Sequence, residues 1–382
     1  MRVAWITTGF FEDENDYGGV AGIFNLAKEL SSSYDLELTV FSLYYPLNKP
    51  EYDFFGSKVY SFAGKRVGIK LEKLRIWNKC FNKFSEEHSR KKFDLIHSMW
   101  AGESGYVASR ISRKYGIPLA VNVCGGELAE IPEIGYGSRI KFWQKRFVNR
   151  AFRSAGRIVV GSDFLVKKVH LYYDKVIGQK VVKIPFGVNE KLFYPDPIQE
   201  KLQKFPVLIN IATAFPVKSH KTLIEAFKIV KQKYPDAVLN LYGRFQERLK
   251  DLAGVDVFPD GVTLKGYIDY PDVPAALRSS NIFVLSSLYE AQNLALIEAA
   301  FCGLPVVSND VGSAGEITGN IAAPGDHKQF AENILKVIES YEEEKKKALK
   351  LLPDLINKYS VKTSAHSYYL LYKELSGKGG NG

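Results

Sequence analysis

Ser286-Ser-Leu-Tyr-Glu290-Ala-Gln292-Asn293-Leu-Ala-Leu-Ile-Glu298-Ala-Ala-Phe-Cys302-Gly303-Leu-Pro305-Val-Val307 is the most informative stretch of this 382-residue chain. It follows a short apolar strand at 282–285, and its periodicity predicts a helix over 294–302. Gly303 and Pro305 stop that helix, and a new strand begins at Pro305. Strand, turn and helix in this order leave free N–H groups around residues 292–295, where the helix dipole favours a diphosphate. Glu298, inside the helix, is placed to accept hydrogen bonds from ribose hydroxyls, as an acidic residue does in other nucleotide-binding sheets. Glu290, ahead of the helix, is left near a sugar or its phosphate.

Outward from this stretch the same pattern repeats. In the C-terminal half, runs at 207–212, 237–242, 262–265, 282–285 and 305–308 read as strands. Helices are predicted there at 221–234, 273–278 and, as one long element, through 330–351. In the N-terminal half, strands at 3–7, 36–42, 94–97, 118–123 and 157–161 alternate with helices at 18–30, 104–115 and 139–153. Such alternation builds βαβ units around a parallel sheet, and its restart near 207 predicts two α/β domains. The seam, Lys183-Ile-Pro185-Phe-Gly187-Val-Asn189 to Pro195-Asp-Pro197, is rich in turn formers and is the expected hinge. Parallel sheets take ligands at the carboxyl ends of their strands, so two facing sheets predict a cleft that holds two substrates.

Glu290 and Glu298 are separated by seven residues and followed by the Gly303-Leu-Pro305 stop and Asp310-Val-Gly312-Ser-Ala-Gly315-Glu316. This segment resembles the E-x7-E signature of retaining glycosyltransferases of the GT-B fold, and among them glycosyltransferase family 4 (glycosyl transferases group 1). The resemblance runs through nearly the whole chain. Lys218-Ser-His220-Lys-Thr-Leu-Ile-Glu-Ala-Phe227 matches the family's lysine ahead of a helix. Leu239-Asn-Leu-Tyr-Gly243-Arg244, Thr263-Leu-Lys-Gly266-Tyr267 and the interdomain Pro185-Phe-Gly187-Val-Asn189 also match.

The resemblance implies two Rossmann-like, doubly wound parallel-sheet domains facing a cleft. Residues 1–188 would form the acceptor side, with a helix at about 360–375 packing back on it, and residues 189–359 would bind the nucleotide-sugar donor. It implies retaining transfer from a nucleotide diphosphate sugar to a saccharide or lipid-linked acceptor, as in cell-surface polysaccharide biosynthesis. Lys218 would hold the diphosphate, a point cation aimed at developing charge. Glu290 would serve the phosphate side or sugar hydroxyls, Glu298 the ribose, and the amides of Gln292, Asn293 and Leu294 the sugar and phosphate. Arg244 and Tyr267 join the donor site by the same resemblance, Tyr267 in a turn whose backbone meets the base.

In the first half, Gly18-Gly19-Val-Ala-Gly22 opens a helix, and glycines there admit close approach of a phosphate or sugar. In the family this loop, with Gly19, faces the donor phosphates and the acceptor. The G-x-G-x-x-G of a dinucleotide site is absent. Two positions depart from the family pattern. Thr213 stands where an Arg precedes the lysine, with Arg244 a candidate to replace its charge. Cys124, in Val121-Asn-Val-Cys124-Gly125-Gly126-Glu127, stands where the family has a His. The acceptor-side candidates are Gly18, His97 (at a strand end and expected to face the cleft), Cys124 and Glu127. These departures leave open a catalytically degenerate GT-B protein that binds a sugar nucleotide as scaffold or regulator, or an enzyme that epimerises or hydrolyses it. No D-x-D occurs, so no metal is expected, and with the nucleotide sugar as a substrate no cofactor is expected.

Lys plus Arg number 52 against 42 for Asp plus Glu, a net charge of +10 that attracts anionic partners. Residues 139–153 interleave six cations with aromatic and aliphatic side chains, and a second basic stretch, 65–92, places Trp77, Phe81 and Phe84 at helical spacing. A basic amphipathic helix either lies on an anionic membrane surface or buries Ile140, Trp143 and Phe147 with its charges in water. No nucleic-acid module accompanies the charge, so nucleic acid is not an expected partner. Met1 leads directly into a buried strand, without the pattern of a signal peptide. No run approaches the roughly 18 apolar residues of a membrane span. Cys80, Cys124 and Cys302 are widely spaced, which argues against a disulfide framework or zinc site. The expected location is cytoplasmic, with peripheral contact at the inner membrane face open to the basic helix.

Overall fold

The computed structural model describes residues 1–63, 70–196 and 206–378. Pro197 of the expected hinge and the first residues of the basic stretch, 65–69, lie outside them. The chain divides into two compact units, Met1–Gly187 with Val361–Gly382, and Val188–Ser360.

The first unit holds β1 (Arg2–Thr7), β2 (Glu37–Ser42), β3 (Glu51–Phe54), β4 (Ser57–Ser61), β5 (Leu95–Met99), β6 (Leu119–Val123), β7 (Arg157–Val160) and β8 (Val181–Lys183). Their order in the sheet is β3-β4-β2-β1-β5-β6-β7-β8, parallel apart from the β3–β4 pair. Helices α1 (Ala21–Ser33), α2 (Lys70–Arg90), α3 (Glu103–Tyr115), α4 (Phe142–Ser154), α5 (Asp163–Tyr172) and α6 (Lys175–Gly178) make the connections. Every residue of β1, β5 and β6 is buried, because crossover helices cover both faces of a parallel sheet. That double burial produces the continuous apolar runs that announce these strands in the sequence.

The β3–β4 hairpin was not expected. Its turn is Phe55-Gly56, with φ of 45° and 79°. Two left-handed residues suit the twist of a two-residue hairpin, but the usual signal is Asn or Asp before the Gly. Here a phenylalanine takes that place, held by T-shaped packing on Phe24 and Phe54.

The second unit holds β9 (Val207–Ile211), β10 (Val238–Tyr242), β11 (Val262–Gly266), β12 (Ile282–Leu285), β13 (Val306–Asn309) and β14 (Ile321–Ala322), all parallel in the order β11-β10-β9-β12-β13-β14. Its helices are α7 (His220–Lys233), α8 (Leu249–Ala253), α9 (Val273–Arg278), α10 (Leu294–Phe301), α11 (Ala314–Ile317), α12 (His327–Glu339) and α13 (Tyr341–Tyr359). One core layer packs α7 and α12 on the sheet, around Phe227, Phe330 and Ile334. The other packs α10 and α13, around Phe283, Phe301 and Tyr359. The single helix expected through 330–351 is two helices that meet at Ser340, whose ψ of 33° breaks the helical run. Glu342, Glu343 and Glu344 then occupy the first turn of α13, where the helix dipole favours them.

The last helix, α14 (Val361–Leu375), belongs to the first unit. A buried polar chain fastens it to the central strands. Trp5 Nε1 donates to the Tyr372 hydroxyl at 3.0 Å, and that hydroxyl meets His97 Nδ1 at 2.7 Å. His97 Nε2 lies 2.8 Å from Asn122 Oδ1, and Asn122 Nδ2 donates to the Tyr368 hydroxyl at 2.7 Å. Since Asn122 Oδ1 only accepts, His97 carries its proton on Nε2 and Tyr372 donates to Nδ1. Strand order reverses between β1 and β5 and between β9 and β12, so the loops at the carboxyl ends of those strands are where each sheet is shaped to take a ligand.

Replacing Tyr372 by Phe leaves the indole N–H and His97 Nδ1 buried without partners. The expected loss is about 2 kcal/mol, read as a lower unfolding midpoint in urea; an unchanged midpoint would show the network to be incidental.

Candidate active site

The residues expected on the donor side lie in the second unit, at its switch point. The loop after β9 carries Lys218 at the end of a tight turn, Pro216–Lys218, just before α7. The loop after β12 carries Ser286 to Asn293. Lys218 Nζ and Glu290 Oε1 are 2.6 Å apart, and the Ser287 hydroxyl donates to the same oxygen at 2.6 Å. The loops are stitched together by Leu288 N–H to Val217 C=O, 2.8 Å, and Ser286 Oγ to Lys218 C=O, 2.9 Å. Asn309, ending β13, donates Nδ2 to the carbonyls of Ser286 and Ser287. The pair is only partly covered, with 24% of the Lys218 side chain and 14% of Glu290 exposed. It is therefore reachable by a ligand, yet less screened than a surface ion pair.

Helix α10 begins beside this pair. Asn293 takes the N-cap position at φ 85°, a left-handed conformation that Asn tolerates better than most residues, and its Oδ1 accepts from Leu296 N–H at 3.4 Å. The first intrahelical bond is Ile297 N–H to Asn293 C=O, so the Leu294 and Ala295 amides have no intrahelical acceptor. Gln292 is buried and its carbonyl accepts from Ser313 N–H at 2.8 Å. Gly312, at φ 57°, makes that contact feasible, since a Cβ there would lie 2.7 Å from the Gln292 oxygen. Asn293 Nδ2, Asn309 Oδ1 and Ser313 Oγ are buried, with no hydrogen-bond partner among the described residues. Each such atom costs about 1–3 kcal/mol.

Glu298 is 6% exposed. Burial pushes its carboxyl up to about 7, with a hydrogen bond from Tyr270 pulling the other way. Ser287, Tyr270 and His220 carry no role in the sequence reading. His220 is buried with Nδ1 unpartnered and held down to about 4, chiefly by burial and then by the charge of Lys218. Its position in the lysine motif was the one signal that could have marked it. Arg244 rests its guanidinium 4.5 Å from the Tyr267 ring. Beside it Phe245 packs against Phe215, and both rings are exposed. Arg244 thus braces the turn after β11.

In the first unit the expected residues are in different circumstances. Gly18 donates its N–H to Asp16 Oδ1 at 2.8 Å. A Cβ at Gly19 would lie 2.7 Å from the Phe11 ring. The N-cap of α1, Val20, offers no side-chain acceptor; Ile23 N–H turns back to the Val20 carbonyl at 2.9 Å, and the Ala21 and Gly22 amides have no intrahelical acceptor. His97 corrects the expectation: it is fully buried in the α14 network, both nitrogens are engaged, and burial holds it down to about 4. Glu127 is also buried and turned inward. Its carboxylate accepts from the N–H groups of Ala101, Cys124 and Gly125 at 3.1, 3.2 and 2.7 Å, bracing the loop after β5 against the loop after β6. Burial raises it, against those backbone bonds. Cys124 is half-buried, and burial together with the Glu127 charge keeps its thiol protonated.

Residues 196–350 match the family model described as glycosyl transferases group 1, and residues 17–192 match glycosyltransferase family 4. The chain belongs to this glycosyltransferase family. It is 29% identical over 214 residues to a probable sucrose-phosphate synthase of Thermosipho melanesiensis, covering 52% of this chain and 48% of that protein. It is 25% identical to O-antigen chain mannosyltransferase B of Escherichia coli, over 54% of this chain and 58% of that one. The chain thus spans about half the length of these curated relatives. Among solved structures it is similar to sucrose-phosphate synthase from Thermosynechococcus elongatus, with a TM-score of 0.80, 19% identity and 99% of each chain covered. A glycosyltransferase from Rickettsia africae gives 0.71 at 19% identity, with 98% of each chain covered. These likenesses show the fold, two Rossmann-like α/β units of GT-B type.

The expected donor-side residues Lys218, Glu290, Gln292 and Asn293 share one pair of loops, and Leu294 and Glu298 follow on α10. Tyr267 and Arg244 stack on each other at the carboxyl ends of β11 and β10.

The Glu298 carboxyl, raised in the fold from an ordinary 4.5 to about 7, stabilises the protein most below pH 4.5. That advantage is lost as pH rises through 7, a swing of about 3 kcal/mol. Glu298→Gln should therefore gain melting temperature over the native chain as pH goes from 5 to 8; parallel curves across that window would refute the buried carboxyl.

Proposed function

We propose that this chain transfers a glycosyl unit from a nucleotide diphosphate sugar, with retention of anomeric configuration, to a saccharide or lipid-linked glycan. The observation that carries this reading is the Lys218–Glu290 pair set beside the N-terminus of α10. Diphosphate oxygens would take the free amides of α10 and draw Lys218 toward them. Glu290 and Ser287 would then turn to sugar hydroxyls, with Asn293 Nδ2 and Ser313 Oγ as further partners. Glu298, ionised on binding, would accept the ribose hydroxyls. Catalysis of this kind is mostly positioning and charge stabilisation.

No acceptor-side candidate is a ready base, since His97 is locked, Glu127 is bonded to three amides and Cys124 keeps its proton. This favours front-face displacement, in which the acceptor oxygen bonds to the anomeric carbon on the side the phosphate leaves. The departing phosphate oxygen takes the acceptor's proton. The names of two relatives fit such acceptors, the O-antigen mannosyltransferase and an Escherichia coli galactosyltransferase acting on GlcNAc-diphosphoundecaprenol. With Lys218 and helix amides meeting the diphosphate charge, transfer needs no bridging metal.

Lys218→Ala and Glu298→Ala should each lower transfer at least about tenfold, the effect of losing ~1.4 kcal/mol of charge-assisted contact. Transfer should also survive EDTA. The donor is found by a thermal-shift panel of nucleotide diphosphates and their sugars, and product anomers are read by NMR. Full turnover in both variants would remove the site assignment, and donor binding without transfer to any acceptor would favour a scaffold.

A further inference from the structure

A second charged concavity lies wholly within the first unit, along helices α3 and α4. The two helices come unusually close at Gly105, where a Cβ would lie 2.9 Å from the Ala151 Cβ. Beside that contact is a cavity of about 590 Å³ lined by Arg113 of α3, by Arg146, Arg150 and Arg153 of α4, and by Tyr106 and Trp143. Positions 146, 150 and 153 share one face of a helix. No carboxylate lines the cavity. Among the described residues none of the four guanidinium groups has an acidic partner. Arg146 and Arg150 lie over the rings of Phe142 and Tyr106, at 5.4 and 5.7 Å, and Arg150 Nε is buried with no hydrogen bond. Four like charges held together this way repel one another, so the arrangement favours an anion. The forked guanidinium geometry suits phosphate oxygens.

The rim indicates where that phosphate comes from. The sequence allowed Trp143 to be packed inward, but Phe142 and Trp143 are 65% and 59% exposed. They stand at the start of α4, with Lys141 and Lys145 exposed around them. Aromatic rings beside snorkelling cations are the combination that seats a helix in a bilayer interface. Among the described residues no helix is long and apolar enough to cross a membrane, so contact through this helix would be peripheral. We propose that the α3–α4 groove binds the phosphate of an anionic lipid headgroup, with Phe142 and Trp143 entering the interface beside it. The proposal stands apart from the donor site and from the transfer reading.

The test uses the full chain with vesicles of phosphatidylcholine alone or with phosphatidylglycerol. Arg146→Gln/Arg150→Gln removes two groove charges, and Lys346→Gln/Lys350→Gln removes two exposed charges from α13 of the other unit. Circular dichroism and melting temperature establish that both variants fold. Binding should require phosphatidylglycerol and blue-shift Trp143 emission, identified by its loss in Trp143→Phe. At about 1 kcal/mol per cation near the surface, the arginine pair should lose at least about tenfold in vesicle affinity and the lysine pair distinctly less. Equal losses in the two variants, or equal binding to neutral vesicles, would overturn the groove. Inorganic phosphate or glycerol phosphate binding as tightly as the vesicles would assign it to a soluble phosphate. Preference for an oligonucleotide over vesicles would overturn the lipid assignment as well.

Discussion

An ion pair between Lys218 and Glu290, 2.6 Å apart, ties together the loops at the carboxyl end of the second unit's sheet. Its partners leave neighbouring strands, β9 and β12, at the point where strand order reverses. Because every strand in that sheet is parallel, the loops that follow β9, β12 and β13 emerge at one end and can be tied to each other. The Ser286, Leu288 and Asn309 hydrogen bonds do the tying. Gly312 lets the next loop press on the Gln292 carbonyl. Once these loops are placed, α10 must start where it does, and its open amides and Glu298 are brought to the same end of the sheet.

The first unit uses similar chemistry for a different purpose. His97, Asn122, Tyr368, Tyr372 and Trp5 form a closed chain in which each buried donor finds an acceptor. Such a network, fully satisfied, costs little and holds one arrangement, whereas a partly satisfied one would be penalised. It binds the last helix of the chain to the first strand. Glu127 spends its carboxylate on three backbone amides in the same way. The arginines of α4 do the reverse, remaining without acidic partners among the described residues.

Much of the architecture is legible in the sequence, because strands buried on both faces leave unbroken apolar runs at regular spacing. The hairpin at Phe55-Gly56 was not, since a phenylalanine replaced the usual turn residue and aromatic packing compensated. Nor was the break at Ser340, where apolar residues recur through both helices and conceal the change of axis. Glu290 and Glu298 were legible as a pair because one loop and one helix contain both. Lys218, 72 residues earlier, joined them through the family motif, and Ser287 and Tyr270 carried no sequence signal.

The sequence by itself determined the alternation of strands and helices, the two sheets, and the two glutamates and the lysine proposed for the donor side. These depend on local periodicity and short motifs, which a single chain displays directly. Only the tertiary structure decided which polar residues face inward. His97 meets a tyrosine 275 positions away. Trp143 turns outward although its helical spacing allowed it to be packed inside. Burial is set by what packs across a residue from distant parts of the chain, and no window of sequence contains that information.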